Sequence, residues 1–201
     1  MKPLFFKYFL FGLLLLPGLL FASTLRQSDL SEINRDAELV FEGRVVATRI
    51  DHQPGTRAVH TWVKFEILDV VKGQFDQPYL ELSFLGGTSG DISVKVSDMQ
   101  IPKMGEHGVY FVENTNKTMV NPLRGWDEGH FLVQYDRKLK RQQITTLSGQ
   151  PVFDVNARAV RGSALKISNG VAKGVITSAP SIQALPLAPA QFKAKIREMA
   201  Q

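Results

Sequence analysis

A chain of 201 residues, 44% of them hydrophobic, is long enough for one core that buries roughly two-thirds of the unfolded surface, and so for one domain with an appendage. It contains no cysteine, which excludes disulfides, thiol catalysis, thiolate metal sites and a cysteine-linked lipid anchor. The formal charge of +5 is a mild excess, suited to weak attraction to anionic envelope surfaces.

The first stretch reads as an export signal. Lys2 and Lys7 form a basic n-region, residues 10–20 are apolar but broken by Pro17 and Gly18, and Leu20-Phe21-Ala22 ends in a small residue suited to cleavage. A spanning helix needs about 20 apolar residues, so a cleaved signal peptide over 1–22 is predicted, with no stable membrane anchor afterwards. Losing 22 residues, Lys2 and Lys7 among them, takes the chain from 201 to 179 residues and from +5 to +3. The expected location is periplasmic or secreted, in a bacterium, where no nucleic-acid partner is expected.

Residues 24–37 form a lead-in. Asp29, with Glu32 three positions later, resembles a capping box, and Leu30, Ile33 and Ala37 share a face at helical spacing, predicting a short N-terminal helix. From Leu39 the period changes to two: Leu39, Phe41, Gly43, Val45 and Ala47 alternate with Glu42, Arg44 and Thr48. A second run sets Val59, Thr61, Val63, Phe65 and Ile67 against His60, Trp62, Lys64 and Glu66, rich in the β-branched and aromatic residues that fit a pleated surface. Pro54-Gly55 between the runs predicts a hairpin, and Lys72-Gly73 marks the strand exit.

Leu80, Leu82 and Phe84 then alternate with Glu81 and Ser83, and Ile92, Val94 and Val96 repeat the pattern. The intervening Gly86-Gly87-Thr88-Ser89-Gly90-Asp91 lacks the Lys-Ser/Thr pair and following helix of a phosphate loop, so it reads as a wide hairpin loop whose glycines supply positive φ. Val109-Tyr110-Phe111-Val112 is a continuous apolar run, as expected of a strand buried on both faces, and Phe131, Val133 and Tyr135 alternate again. Such short strands, with turn residues between them and no helical pattern, predict a mainly β domain over 23–148, an OB-like antiparallel barrel or a sandwich. Residues 149–188 turn to Ala, Ser, Gly and Pro and read as a poorly patterned linker. Over 189–201 a C-terminal amphipathic helix is predicted, with Phe192, Ile196 and Met199 on a face that docks on its own domain or on a partner.

No catalytic or cofactor-binding pattern emerges. His52, His60, His107 and His130 are dispersed, without metal-binding spacing, and read as surface or turn residues. Asp127-Glu128 beside Trp126 invites glycoside chemistry, but neighbouring turn residues point in different directions, and the pair reads as a solvated turn beside a core tryptophan. Trp62 shares a face with His60, Lys64 and Glu66 and is a candidate anchor for a partner, or is covered by the C-terminal helix.

Several stretches together carry a resemblance: Ala37-Glu38-Leu39-Val40-Phe41-Glu42-Gly43-Arg44, Phe65-Glu66-Ile67-Leu68-Asp69-Val70-Val71-Lys72-Gly73, Gly105-Glu106 before an apolar strand, and Gly125-Trp126-x-x-Gly129-x-Phe131. Over residues 30–136 the chain resembles a group of uncharacterised exported bacterial proteins, some of which neighbour secreted metalloproteases. Their strand order is in turn distantly similar to the netrin-like, OB-type barrel of tissue inhibitors of metalloproteinases. The resemblance implies that the mature N-terminus chelates a protease zinc, which here places Ser23 in that role. Without cysteine, Ser23 lacks the covalent tether that the family uses.

The reading is a non-catalytic exported protein-binding module, accessory to or inhibitor of a secreted peptidase, with no cofactor. Ser23, Trp62, Trp126, Phe192 and Ile196 are the candidate partner-binding residues. The alternatives are an envelope hydrolase and an OB-type ligand or nucleic-acid binder, the latter needing a basic groove with exposed aromatics.

Overall fold

The computed structural model describes residues 27–52, 55–56, 58–156 and 168–200. The predicted signal peptide and Ser23 lie outside them. Among the described residues no helix is long and apolar enough to cross a membrane.

The domain is mainly β, and its centre is the predicted pair: β1 (Leu39–His52) and β2 (Val59–Lys72) run antiparallel, with Val45 opposite Phe65 and Arg49 opposite Trp62. There follow β3 (Tyr79–Leu85), the small hairpin of β4 (Gly87–Ser89) and β5 (Ile92–Val94), β6 (His107–Val112), β7 (His130–Asp136) and β8 (Arg141–Thr146). The two-residue strands β9 (Asp154–Val155) and β10 (Val175–Ile176) pair with each other. The main sheet is antiparallel, in the order β3-β2-β1-β6-β7-β8.

The sheet stays open, which corrects the expectation of a closed barrel: among the described residues no ladder joins β3 to β8. The outer edge of β8 is occupied otherwise. Ile144 donates its N–H to Leu187 O, Val152 to Ile144 O and Thr146 to Gln150 O, each at 2.9 Å. β2 also departs from strict alternation. Phe41 faces Val70 while Gly43 faces Ile67, so Leu68 bulges out of the ladder and is exposed. The bulge moves Val71 to the face opposite Phe65.

Each face of the sheet has its own core. On one, Phe41, Phe65 and Tyr110 stack at centroid separations of 4.7–5.4 Å among Leu39, Val63, Leu82, Phe84 and Leu123. On the other, Val40, Val109, Phe111, Phe131 and Ile144 meet both helices. β6 serves both, Tyr110 and Val112 facing one core and Val109 and Phe111 the other, as its unbroken apolar run predicts.

Helix α1 (Leu30–Asp36) starts where Asp29 accepts a 2.8 Å hydrogen bond from the Ser31 N–H, and it buries Leu30 and Ile33. Its C-terminal carbonyls are satisfied by Lys72, whose ammonium donates to Asn34 O, to Arg35 O at 2.8 Å and to Ala37 O at 2.7 Å. Helix α2 (Pro189–Met199) opens with Pro at its first position and with Gln191 accepting from the Ala188 N–H at 3.0 Å. Eleven residues make a marginal helix alone. Phe192 and Ile196, both fully buried, dock it on the sheet.

The segment predicted as a linker is packed where it is described. Val152, Val155, Ala172 and Leu187 belong to the helix-side core, and Lys173 donates to Ser28 O at 2.8 Å while Leu30 donates to Lys173 O at 2.9 Å. Its short apolar stretches lie too far apart for a periodicity to register.

Candidate functional site

A cleft of roughly 850 Å³ opens beside α1. Its lining comes from Ser28, Glu32 and Ile33, the stretch 95–100 after β5, Glu113 just past β6, Arg124 to Glu128, Leu147 and Ser148 just past β8, and Ser168 to Gly170. At its centre in the sequence is Gly125-Trp126-x-x-Gly129, a motif singled out above. Gly125 adopts φ 74°, and a Cβ there would stand 2.6 Å from Ile33 Cδ1. At Gly129 a Cβ would meet Arg124 O at 1.9 Å. Only glycine fits at either position, so the 3₁₀ turn Trp126–Gly129 can lie flat against α1. Trp126 itself takes φ 56° and Asp98 φ 55°, so two of the three described non-glycine residues with positive φ line this one cleft. Such backbone settings concentrate where a site is held against its own preference.

The two acids of the turn diverge, as adjacent turn residues should. Glu128 is buried and accepts from the Ser28 N–H at 2.8 Å and from Ser168 Oγ at 2.5 Å, tying the lead-in and the segment after 168 to the turn. Asp127 is half-buried and accepts a 3.3 Å bond from the Gln100 N–H, with the Gln100 side chain also against it and His130 attracting it weakly. Burial pushes its carboxyl above the ordinary aspartate range. The pair is therefore not a solvated turn, and the half-buried Trp126 is not a core residue but part of the cleft wall.

A second cluster lies on the helix face of the sheet. Glu42 accepts from His107 Nε2 at 2.9 Å and from Lys193 Nζ, and Lys193 also bonds Asp69 at 2.6 Å. Arg197 donates to both Asp69 oxygens at 2.9 and 3.0 Å. The His107 bond, helped by Lys193 and opposed by burial, holds the Glu42 carboxyl down at about 2. Burial pushes Asp69 up, but Lys193 and Arg197 outweigh it and hold it low. Every charge in this seam has an opposite neighbour, and its effect is to clamp α2 to β1 and β2.

A third group joins the buried His130 to Glu106 at 2.8 Å, with Tyr110 donating to the same carboxylate oxygen at 3.3 Å. Burial, and then the Glu106 charge, push the Tyr110 phenol well above its usual range. His107 and His130 are thus partnered strand residues, not the surface or turn residues that their dispersed spacing suggested. Among the described residues no group of three or more His, Asp or Glu is arranged to hold a metal ion.

The predicted partner-binding residues are not brought together. Ser23 lies outside the described residues. Trp62 is half-buried under the Arg49 guanidinium, 4.5 Å from its ring centroid, while the polar ties of α2 to β2 run through Asp69 and Val70, away from it. Phe192 and Ile196 are buried in the helix-side core, so of the two expectations for that face, its own domain or a partner, docking on its own domain is the one observed in this conformation. Of the described candidates, Trp126 alone lies in a formed cleft. Sequence reading placed Asp127 beside Trp126 but as a solvated turn, and it missed Glu32 and Asp98 as cleft neighbours; the only signal for the cleft was the pair of glycines around Trp126. No family model, curated protein or solved structure matches this chain.

Proposed function

We propose that this protein is a non-catalytic exported protein-binding module, working in the periplasm or outside the cell after removal of residues 1–22, and that the Trp126 cleft is its binding surface. The observation that carries this reading is the half-exposed Trp126 indole, held at positive φ in the wall of a preformed cleft. Tryptophan on a rigid, concave surface is the side chain most enriched among binding anchors.

A role as accessory to or inhibitor of a secreted peptidase is the finer form of the proposal. It is supported by the resemblance carried by the sequence motifs between residues 30 and 136 and by the way the lead-in is held. Gln27 donates to Val171 O at 2.7 Å and Ser28 donates to Glu128, so the chain nearest Ser23 is anchored beside the cleft without a disulfide. A second reading, an envelope hydrolase, is favoured by one observation, the raised Asp127 carboxyl in a cleft with strained neighbours. Turnover of a glycoside or peptide substrate that disappears in Asp127→Asn would replace the first reading by the second.

Affinity capture with the 23–201 protein from the native envelope fraction and culture fluid, read by mass spectrometry, tests the first reading. The expected result is one stoichiometric partner that Trp126→Ala loses and Trp62→Ala keeps, both variants being folded by circular dichroism. A partner retained by Trp126→Ala overturns the cleft as the surface.

A further inference from the structure

Charge in the cleft runs against charge in the chain. The whole sequence carries +5, yet among the described residues the charged ones lining the cleft are five acids, Glu32, Asp98, Glu113, Asp127 and Glu128, and two bases, Lys95 and Arg124. Arg124 is already engaged, by Asp36 at 2.9 Å and Glu113 at 3.3 Å. Glu128 is spent on Ser28 and Ser168. Among the described residues, what remains facing the open space is Glu32, Asp98 and Asp127 beside Trp126, with Lys95 the one cation left over. Among the described residues none of those three acids makes an ion pair.

We infer that the cleft recognises a basic side chain, an arginine or lysine presented by an extended segment of the partner protein, stacked on Trp126 and paired with Asp127 and Asp98. The chemistry follows from the parts. A guanidinium or ammonium is drawn to an indole face and to carboxylates at once. A negative cleft with low-dielectric walls concentrates cations and rejects anions, which also argues against nucleic acid as the occupant of this site. Asp127 gives the selectivity. It is desolvated by its surroundings and, among the described residues, bonded by Gln100 but in no ion pair, so an incoming cation supplies the charged partner that the fold withholds.

This inference rests on the cleft being the binding surface, and its test separates the two. Blocked peptides of the form Gly-Arg-Gly and Gly-Lys-Gly are titrated into isotope-labelled 23–201 protein up to about 10 mM, beside norleucine and glutamate counterparts, and amide shifts are followed. The expected result is saturable shifts at Trp126, Asp127 and Gln100 for the basic peptides only. Affinity should fall at least roughly tenfold in Asp127→Asn and again in about 0.5 M salt. Asp98→Asn supplies a second variant, because asparagine tolerates the positive φ at that position. Equal binding of the norleucine peptide, binding unchanged in both variants, or no shift with any basic peptide overturns the inference. If Trp126→Ala still loses the captured partner in that case, the cleft stands as the surface and only its charge selectivity falls. If Trp126→Ala keeps the partner, both fall.

Discussion

The helix seam and the Trp126 cleft contain the same raw material, carboxylates taken partly out of water, and treat it in opposite ways. In the seam, Glu42 and Asp69 are met by His107, Lys193 and Arg197, and the carboxyls are held low. In the cleft, Asp127 makes no ion pair among the described residues, and burial outweighs the Gln100 bonds and the attraction of His130, so its carboxyl is pushed up. The first arrangement is finished within the fold and accounts for how α2 stays docked. The second is unfinished within the fold, and an unfinished electrostatic site in a preformed cavity is where an outside group does most.

The sharpest break in that comparison is in the turn that presents Trp126. Gly129→Ala forces a Cβ onto Arg124 O, and destabilisation of about 3 kcal/mol or more is expected by urea unfolding. A loss below about 1 kcal/mol would show that the turn is free to shift and that Trp126 is not held.

Next in size is the seam. Lys193→Met leaves Glu42 and Asp69 facing one another's side of the helix without their shared cation, and about 3 kcal/mol of stability should go. Adding Glu42→Gln should return part of it, and strict additivity of the two changes would mean that the pair does not interact.

The acid limb of the stability curve separates the regions further. Glu42 titrates at about 2 in the fold against an ordinary 4.5, so its contribution is complete above about pH 4.5 and is lost as pH falls through 2. That amounts to roughly 3 kcal/mol, and Glu42→Gln should flatten the limb correspondingly. For Asp127 the sign is reversed. Its carboxyl is raised in the fold, so ionisation weighs against folding once pH passes the ordinary aspartate range, and Asp127→Asn should leave stability at neutral pH unchanged or increase it by up to about 1 kcal/mol. A loss of stability in that variant, measured by thermal unfolding at pH 7, would place a cation on Asp127 inside the fold. The smallest effect is expected at Trp62. Trp62→Ala removes a half-buried ring paired only with Arg49 on its solvent side, and partner capture should be unaffected.

How much of this was legible in the sequence depended on distance along the chain. The β1–β2 pair announced itself because period two and a Pro-Gly turn are local signals, and the double burial of β6 showed in four consecutive apolar residues. The bulge at Leu68 was hidden, since one extra residue in a ladder is defined by the partner strand. Glu42 stood only as a polar alternate of Phe41 on the other strand face, and nothing nearby says that Lys193, 151 residues later, will cover it. His130 misled in the same way, its partner Glu106 lying across a strand pair. The cleft was the least legible part. It draws on six separate stretches, and only the glycines flanking Trp126 carried a trace of the close packing that builds it.

The most direct test of the contrast is a titration of the Glu42 and Asp127 carboxyl carbons by NMR in the 23–201 protein. Glu42 is expected to titrate near 2 and Asp127 above the ordinary aspartate range. An Asp127 depressed like Glu42 would mean that its charge is already neutralised from within, and the cleft would lose the property that marks it as a binding site.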